Sequence, residues 1–106
     1  LMGKAVARKD GVDTVYSPHG TGYQCQSPTI QRTDKGSGDV FINGVGVVRA
    51  GDAMITHPQP GCTPHSPTLS TYSSTVFANG KGIGRVGDTY SGHPITSGSS
   101  NVFGGD

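Results

Sequence analysis

Four histidines carry the clearest capacity for chemistry in this sequence: His19, His57, His65 and His93. Three of them keep one register against an upstream aspartate. His57 follows Asp52 by five residues, His93 follows Asp88 by five, and His19 follows Asp13 by six. Histidines placed at random would not keep this register. Imidazoles repeated in this way can converge on one point, and neutral imidazole is a common ligand of transition metals. His65 stands eight residues beyond His57, across Pro58, Pro60, Gly61 and Pro64. Such a constrained loop can return both of its ends to one ion. Cys62 lies within the same loop and competes with His65 as fourth donor, with His65 preferred. Three histidines and one further N or S donor make a closed tetrahedral zinc site. Closure points to structure, because catalytic zinc keeps a position open. Iron or nickel would also accept several imidazoles. The opposing reading is four exposed loop histidines with no ligand role.

A hydrolytic role for such a metal needs a general base. The sequence has no Glu, so a His-Glu-x-x-His helix is excluded. Asp34 and Asp39 are the carboxylates of a long loop, and nothing in the sequence aims them at the histidines. The expectation is therefore a non-enzymatic protein. Cys25 and Cys62 stand 37 residues apart. Two unpaired thiols are the favoured reading; a disulfide, and one of the two serving as a metal ligand, are the alternatives.

The elements that must position these residues are short strands and tight turns. The chain carries 18 Gly and 7 Pro, few Ala and Leu, and abundant Val, Ile and Thr. That balance excludes a helix bundle, a coiled coil and a doubly wound α/β domain, and predicts an all-β fold. The formal net charge is +1 with the basic residues scattered, so no nucleic-acid partner is expected. No apolar run approaches the roughly 18 to 20 residues of a membrane-spanning helix, and no leader pattern opens the chain. Leu1 ahead of Met2 reads as an added residue, which sets a single domain at 2–106.

An internal repeat organises the strands. Residues 40–52 read VFINGVGVVRAGD and residues 76–88 read VFANGKGIGRVGD, aligned without a gap at a spacing of 36. Residues 102–106, VFGGD, repeat the first half of the unit, while Gly3 to Arg8 resemble the second half as it stands at Gly80 to Arg85. The two ends should therefore combine into a third hairpin, giving a closed pseudo-threefold object. Asn-Gly after the Val-Phe strand predicts a type I′ turn. Arg49 with Asp52, and Arg85 with Asp88, read as structural pairs that fix the next turn. Short strands are expected at residues 27–30, 66–71 and 94–97.

The Val-Phe-x-Asn-Gly hairpin, the Arg-x-Gly-Asp turn and the histidine loop together resemble the PAAR-repeat proteins. The tetrapeptide that names the family is degenerate here: Ala5-Val6-Ala7-Arg8, Gly46-Val47-Val48-Arg49 and Gly82-Ile83-Gly84-Arg85 keep only its arginine in every copy. The resemblance spans nearly the whole chain and implies a small cone of β-hairpins with zinc near the point. It implies a partner, the blunt end of a trimeric β-helical spike, either VgrG-type in type VI secretion or the tail spike of a contractile phage. The tip protein sharpens that spike for piercing a target envelope. It would be assembled in the bacterial cytoplasm and then delivered, or carried on the virion tail. The pattern uses almost all residues, so no appended toxin domain is expected. One departure stands out: the family commonly has a cysteine ligand in the third unit, where this chain has His93. A polar, repeat-built adhesin or carbohydrate-binding module is the alternative, with Tyr16, Tyr23, Tyr72 and Tyr90 as stacking platforms. Otherwise these tyrosines cover the sides of the cone.

Overall fold

The computed structural model describes residues 3–105; the reading of Leu1 and Met2, and the terminal Asp106, lie outside the described residues. Ten short strands follow one another: β1 (Lys4–Ala5), β2 (Thr14–Thr21), β3 (Ser27–Arg32), β4 (Phe41–Ile42), β5 (Val45–Gly46), β6 (His57–Pro58), β7 (Pro64–His65), β8 (Phe77–Ala78), β9 (Lys81–Gly82) and β10 (Phe103–Gly104). Among the described residues they form five antiparallel two-stranded sheets, so the fold is all-β, with a single 3-10 turn at Tyr23–Cys25.

The Asn-Gly pairs fold as their chemistry requires. Asn43 and Gly44 have φ of 54° and 81°, and Asn79 and Gly80 have 54° and 75°. Two successive positive φ values define a type I′ turn, whose twist matches that of the flanking strands. Phe41 pairs with Gly46, and Phe77 with Gly82. The two ends of the chain supply the same pairing without a turn, since Phe103 faces Ala5 and Gly104 faces Lys4. A side chain at Gly46 or Gly82 would sit against the carbonyl of Ser37 or Ser73, which explains why this position stays small.

The three units join by backbone bonds that close on themselves. Ala7 N–H donates to Gly84 O at 2.9 Å, Gly84 N–H to Val48 O at 2.8 Å, and Val48 N–H to Ala7 O at 3.0 Å. A second set also closes on itself, in the opposite sense: Lys9 N–H donates to Gly46 O, Ala50 N–H to Gly82 O, and Val86 N–H to Ala5 O. Neighbouring residues then point to opposite sides, as extended backbone demands. Val6, Val47 and Ile83 enter a cluster with Ala78, edged by Val40, Ile42 and Val102 from the hairpins. Ala7 and Val48 enter a second cluster with Val15, Met54, Leu69, Tyr90 and Ile95. The chain extends 41 × 27 × 22 Å.

Three expectations are corrected. The strand expected at 66–71 is reduced to a single bridge between Ala53 and Thr68, and that at 94–97 to the bridges Thr89–Pro94 and Val15–Ile95, because Pro67 and Pro94 each remove a donor and the neighbouring backbone bonds go to turn residues. Tyr90 neither stacks on a ligand nor covers a surface. It is fully buried in the second cluster, its hydroxyl has no partner among the described residues, and burial raises its pKa.

The arginine–aspartate pair occurs in three copies with one geometry. In each, the arginine backbone N–H and Nε donate to Oδ2 of the aspartate while Nη2 donates to Oδ1. Sequence spacing showed two copies; the third, Arg8–Asp13, is hidden by two inserted residues. The Arg85–Asp88 side chains are only 3% and 6% exposed. Removing one partner of such a buried pair strands the other charge, at a cost of about 3–5 kcal/mol. Asp88→Ala is therefore expected to lose that much in urea unfolding. Asp10→Asn should leave the midpoint unchanged, since the Asp10 side chain is 65% exposed, its contact with Lys9 is 4.0 Å, and asparagine tolerates the positive φ of this position.

Candidate metal centre

Each histidine reaches the centre by a different local device. His19 sits near the end of β2, where the register with β3 shifts between Ser17 and Thr21. His57 and His65 are directly opposed across β6 and β7. His93 follows a tight turn in which Ser91 and Gly92 both have positive φ, and Tyr90 and His93 exchange backbone hydrogen bonds. The four side chains form one cluster in which a ligand atom from each lies within 4.8 Å of every other. His57 and His93 are 3% exposed, which removes the reading of four exposed loop histidines.

The hydrogen bonds set the tautomers. His57 Nδ1 faces Ile55 O at 3.0 Å, His93 Nδ1 faces Tyr90 O at 2.8 Å, and His19 Nδ1 faces Pro58 O at 3.3 Å. A carbonyl can only accept, so the proton stays on Nδ1 and the Nε2 lone pair is left free. His57 Nε2 lies 3.2 Å from His93 Nε2 and 2.9 Å from His65 Nε2. Lone pairs of His57 and His93 facing each other in a buried site repel unless a proton or a cation stands between them. A tetrahedral metal with bonds of about 2.0–2.1 Å separates its ligand nitrogens by about 3.3 Å. The donor set, and the two Nε2 separations made by His57, thus fit a divalent metal, and the carbonyls behind Nδ1 are the outer partners that metal-ligating histidines use. A cavity of about 310 Å³, bordered by His19, His65 and His93, gives an ion a route from solvent.

Burial lowers the pKa of His65, and its three neighbouring imidazoles lower it further. Burial also lowers that of His93, against the opposing pull of the Tyr90 carbonyl. The sign follows by linkage. Below about pH 6.5 the unfolded chain takes up protons that these folded histidines refuse, so their contribution is intact above that pH and lost as pH falls beneath it. In the presence of chelator, the melting temperature should fall steadily from pH 7 towards pH 5.

The thiol expectations are corrected. Cys25 and Cys62 are disulfide-bonded, with Cα atoms 5.3 Å apart. Cys62 is therefore no free thiol and no competing fourth ligand; the fourth side chain of the cluster is His65. The preference for unpaired thiols overlooked that the 37-residue spacing joins two loops flanking one site. Arg49, Asp52, Arg85 and Asp88 lie in the turns and outside the cluster. Asp39 is tied to a hairpin instead, where Oδ1 accepts from Asn79 and Ser37, and those bonds hold its pKa below the usual carboxylate range.

Sequence reasoning missed the serines that seat the hairpins. Ser37, Ser73 and Ser99 are buried, and each Oγ accepts the two backbone N–H groups that lead into Val40, Val76 and Val102. The signal was present as a serine three residues before each Val-Phe. Asn43 and Asn79 also join units. Asn43 Oδ1 accepts from Arg8 and Ser99, and Asn79 Oδ1 from Arg49 and Ser37.

Against known proteins, no family model and no curated sequence matches the chain.

Proposed function

We propose that this chain is a non-enzymatic tip protein that caps and sharpens a trimeric β-helical spike, of VgrG type in type VI secretion or of a contractile phage tail, with structural zinc held by His19, His57, His65 and His93. The carrying observation is the closed set of backbone bonds among Ala7, Val48 and Gly84, with three hairpins in one register around it. This supports a pseudo-threefold cone, because three equivalent units can each make a similar contact with a threefold partner. Each hairpin also leaves its phenylalanine in solvent: Phe41 is 56% exposed, Phe77 58% and Phe103 46%. Three exposed aromatic side chains at equivalent positions suit a docking face, where aromatics supply much of the binding energy. The histidine cluster belongs to the other part of each unit, beyond the arginine turn. Zinc there would hold loops too short to bury a core of their own, and its chemistry would be confined to binding four neutral imidazoles.

The test is to mix the chain with the trimeric β-helix of a VgrG-type spike and measure the mass of the complex. One chain per trimer is expected. Replacing Phe41, Phe77 and Phe103 together by Ser should abolish the complex with the histidine cluster still loaded. Absence of binding to any such spike, with capture on immobilised glycans instead, would return the adhesin reading through the exposed Tyr16, Tyr23 and Tyr72.

A further inference from the structure

We infer that the Cys25–Cys62 disulfide is the positioning device of the histidine cluster, so that the affinity of this chain for a divalent metal depends on the redox state of the pair. The inference rests on the metal reading above.

The bond joins the two hairpins that carry three of the four histidines. Cys25 closes the 3-10 turn between β2 and β3, six residues after His19. Cys62 lies in the loop between β6 and β7, five residues after His57 and three before His65. Gly61 N–H donates to Gln24 O at 2.9 Å beside the crosslink, so the two loops are clasped there. The ladders themselves are short here, for β6 and β7 have two residues each and the paired strands β2 and β3 lose register just where His19 sits, and the two hairpins are otherwise tied by the His19 Nδ1–Pro58 O contact at 3.3 Å. Gln24, Cys25 and Cys62 all have φ between 51° and 64°, a conformation that non-glycine residues disfavour. Three such residues around one crosslink indicate a loop path that the bond maintains. With the bond intact, the ordering cost of gathering His19, His57 and His65 is met before metal arrives. Without it, that cost falls on metal binding.

The redox step balances with a dithiol as reductant. One of its thiolates attacks Cys62 Sγ, which is exposed, and Cys25 leaves as thiolate. The second thiol then closes the reductant into a cyclic disulfide and releases Cys62. Two electrons and two protons pass to the protein as two Cys thiols.

The experiment measures zinc affinity by competition with a chromophoric chelator, for the oxidised chain and for the chain reduced and alkylated. The reduced form is expected to bind at least about ten-fold more weakly, the scale of effect that supporting residues have on metal sites. Amide exchange at Val47 and Ile83, in the cluster that the hairpins cover, should stay unchanged. Equal affinities would overturn the inference. Weaker binding together with loss of protection at Val47 and Ile83 would overturn it too, by making the bond a general staple of the fold. Absence of zinc binding by the oxidised chain would overturn the metal reading itself. The reciprocal measurement needs no altered protein: saturating zinc should raise the dithiol concentration for half-reduction. No change there would count against the coupling.

Discussion

His57→Ala is expected to abolish tight zinc binding and to erase the response of thermal stability to chelator. His57 is the hub of the cluster. Its Nε2 stands 2.9 Å from that of His65 and 3.2 Å from that of His93, it is almost wholly buried, and its ring is held by the Ile55 carbonyl. A structural zinc ion contributes on the order of 10 kcal/mol of apparent binding free energy, and a three-ligand remnant with its central donor missing loses much of that. Stability follows by mass action: free zinc at 100 times its dissociation constant stabilises the fold by about 2.7 kcal/mol. Melting the parent protein with and without chelator should therefore show a clear downward shift on metal removal. The variant should melt at one temperature in both conditions. Without metal the substitution is milder, because it also removes a lone pair that faced His93 at short range. Equal chelator shifts in parent and variant would place the metal elsewhere. His65→Ala should behave in the same sense with a smaller loss, since His65 is half-buried at the cavity mouth.

The sequence made some features legible because one local rule governed them. Asn-Gly dictated two turns, and the recurrence of Val-Phe at the C-terminus implied that β10 would pair with β1. The histidine register likewise reflected a repeat acting on a single side-chain type. Features that depended on contacts between units were less visible. Arg8 and Asp13 are five residues apart where the other pairs are three apart, so the shared geometry appears only once the Lys9–Val12 turn returns Asp13 to Arg8. Cys25 and Cys62 become neighbours only after the β2–β3 and β6–β7 loops, from different parts of the sequence, meet. Tyr90 looked like a surface residue among polar neighbours, yet in a domain with few large apolar side chains a phenol fills the central volume, at the cost of an unpaired hydroxyl. Asn43 and Asn79 read as turn residues, and their positive φ bears this out; that each also receives an arginine and a serine from another unit is a property of the closed arrangement.

Deleting residues 102–105 is expected to abolish cooperative unfolding altogether, although those residues bury little surface of their own. The seam between β1 and β10 is where one hairpin is made without a connecting turn, so no covalent link holds it. Val6 N–H donates to Val102 O at 3.1 Å, Lys4 N–H to Gly105 O at 3.4 Å, and Arg85 Nη1 to Gly104 O at 3.4 Å. Val102 packs on the cluster of Val6, Val47, Ala78 and Ile83. Removing the strand leaves Val6 N–H without its partner and opens one side of that cluster. It also brings solvent to Arg85, whose pairing with Asp88 is nearly buried. Each orphaned buried polar group costs about 1–3 kcal/mol, and the uncovered apolar side chains add about 25 cal/mol for each Å² returned to water. Several such losses together match the roughly 5–15 kcal/mol that a whole domain has to spend. The damage also spreads, because Ala7, Val48 and Gly84 bond in a closed order: once the first unit swings away, Ala7 leaves both of its partners. Thermal scans of the truncated chain with zinc present should show a broad, shallow change in place of a transition. A sharp transition near the parent temperature would mean that the other two hairpins hold the first unit in place without closure, and the argument from the repeat to a closed object would fail.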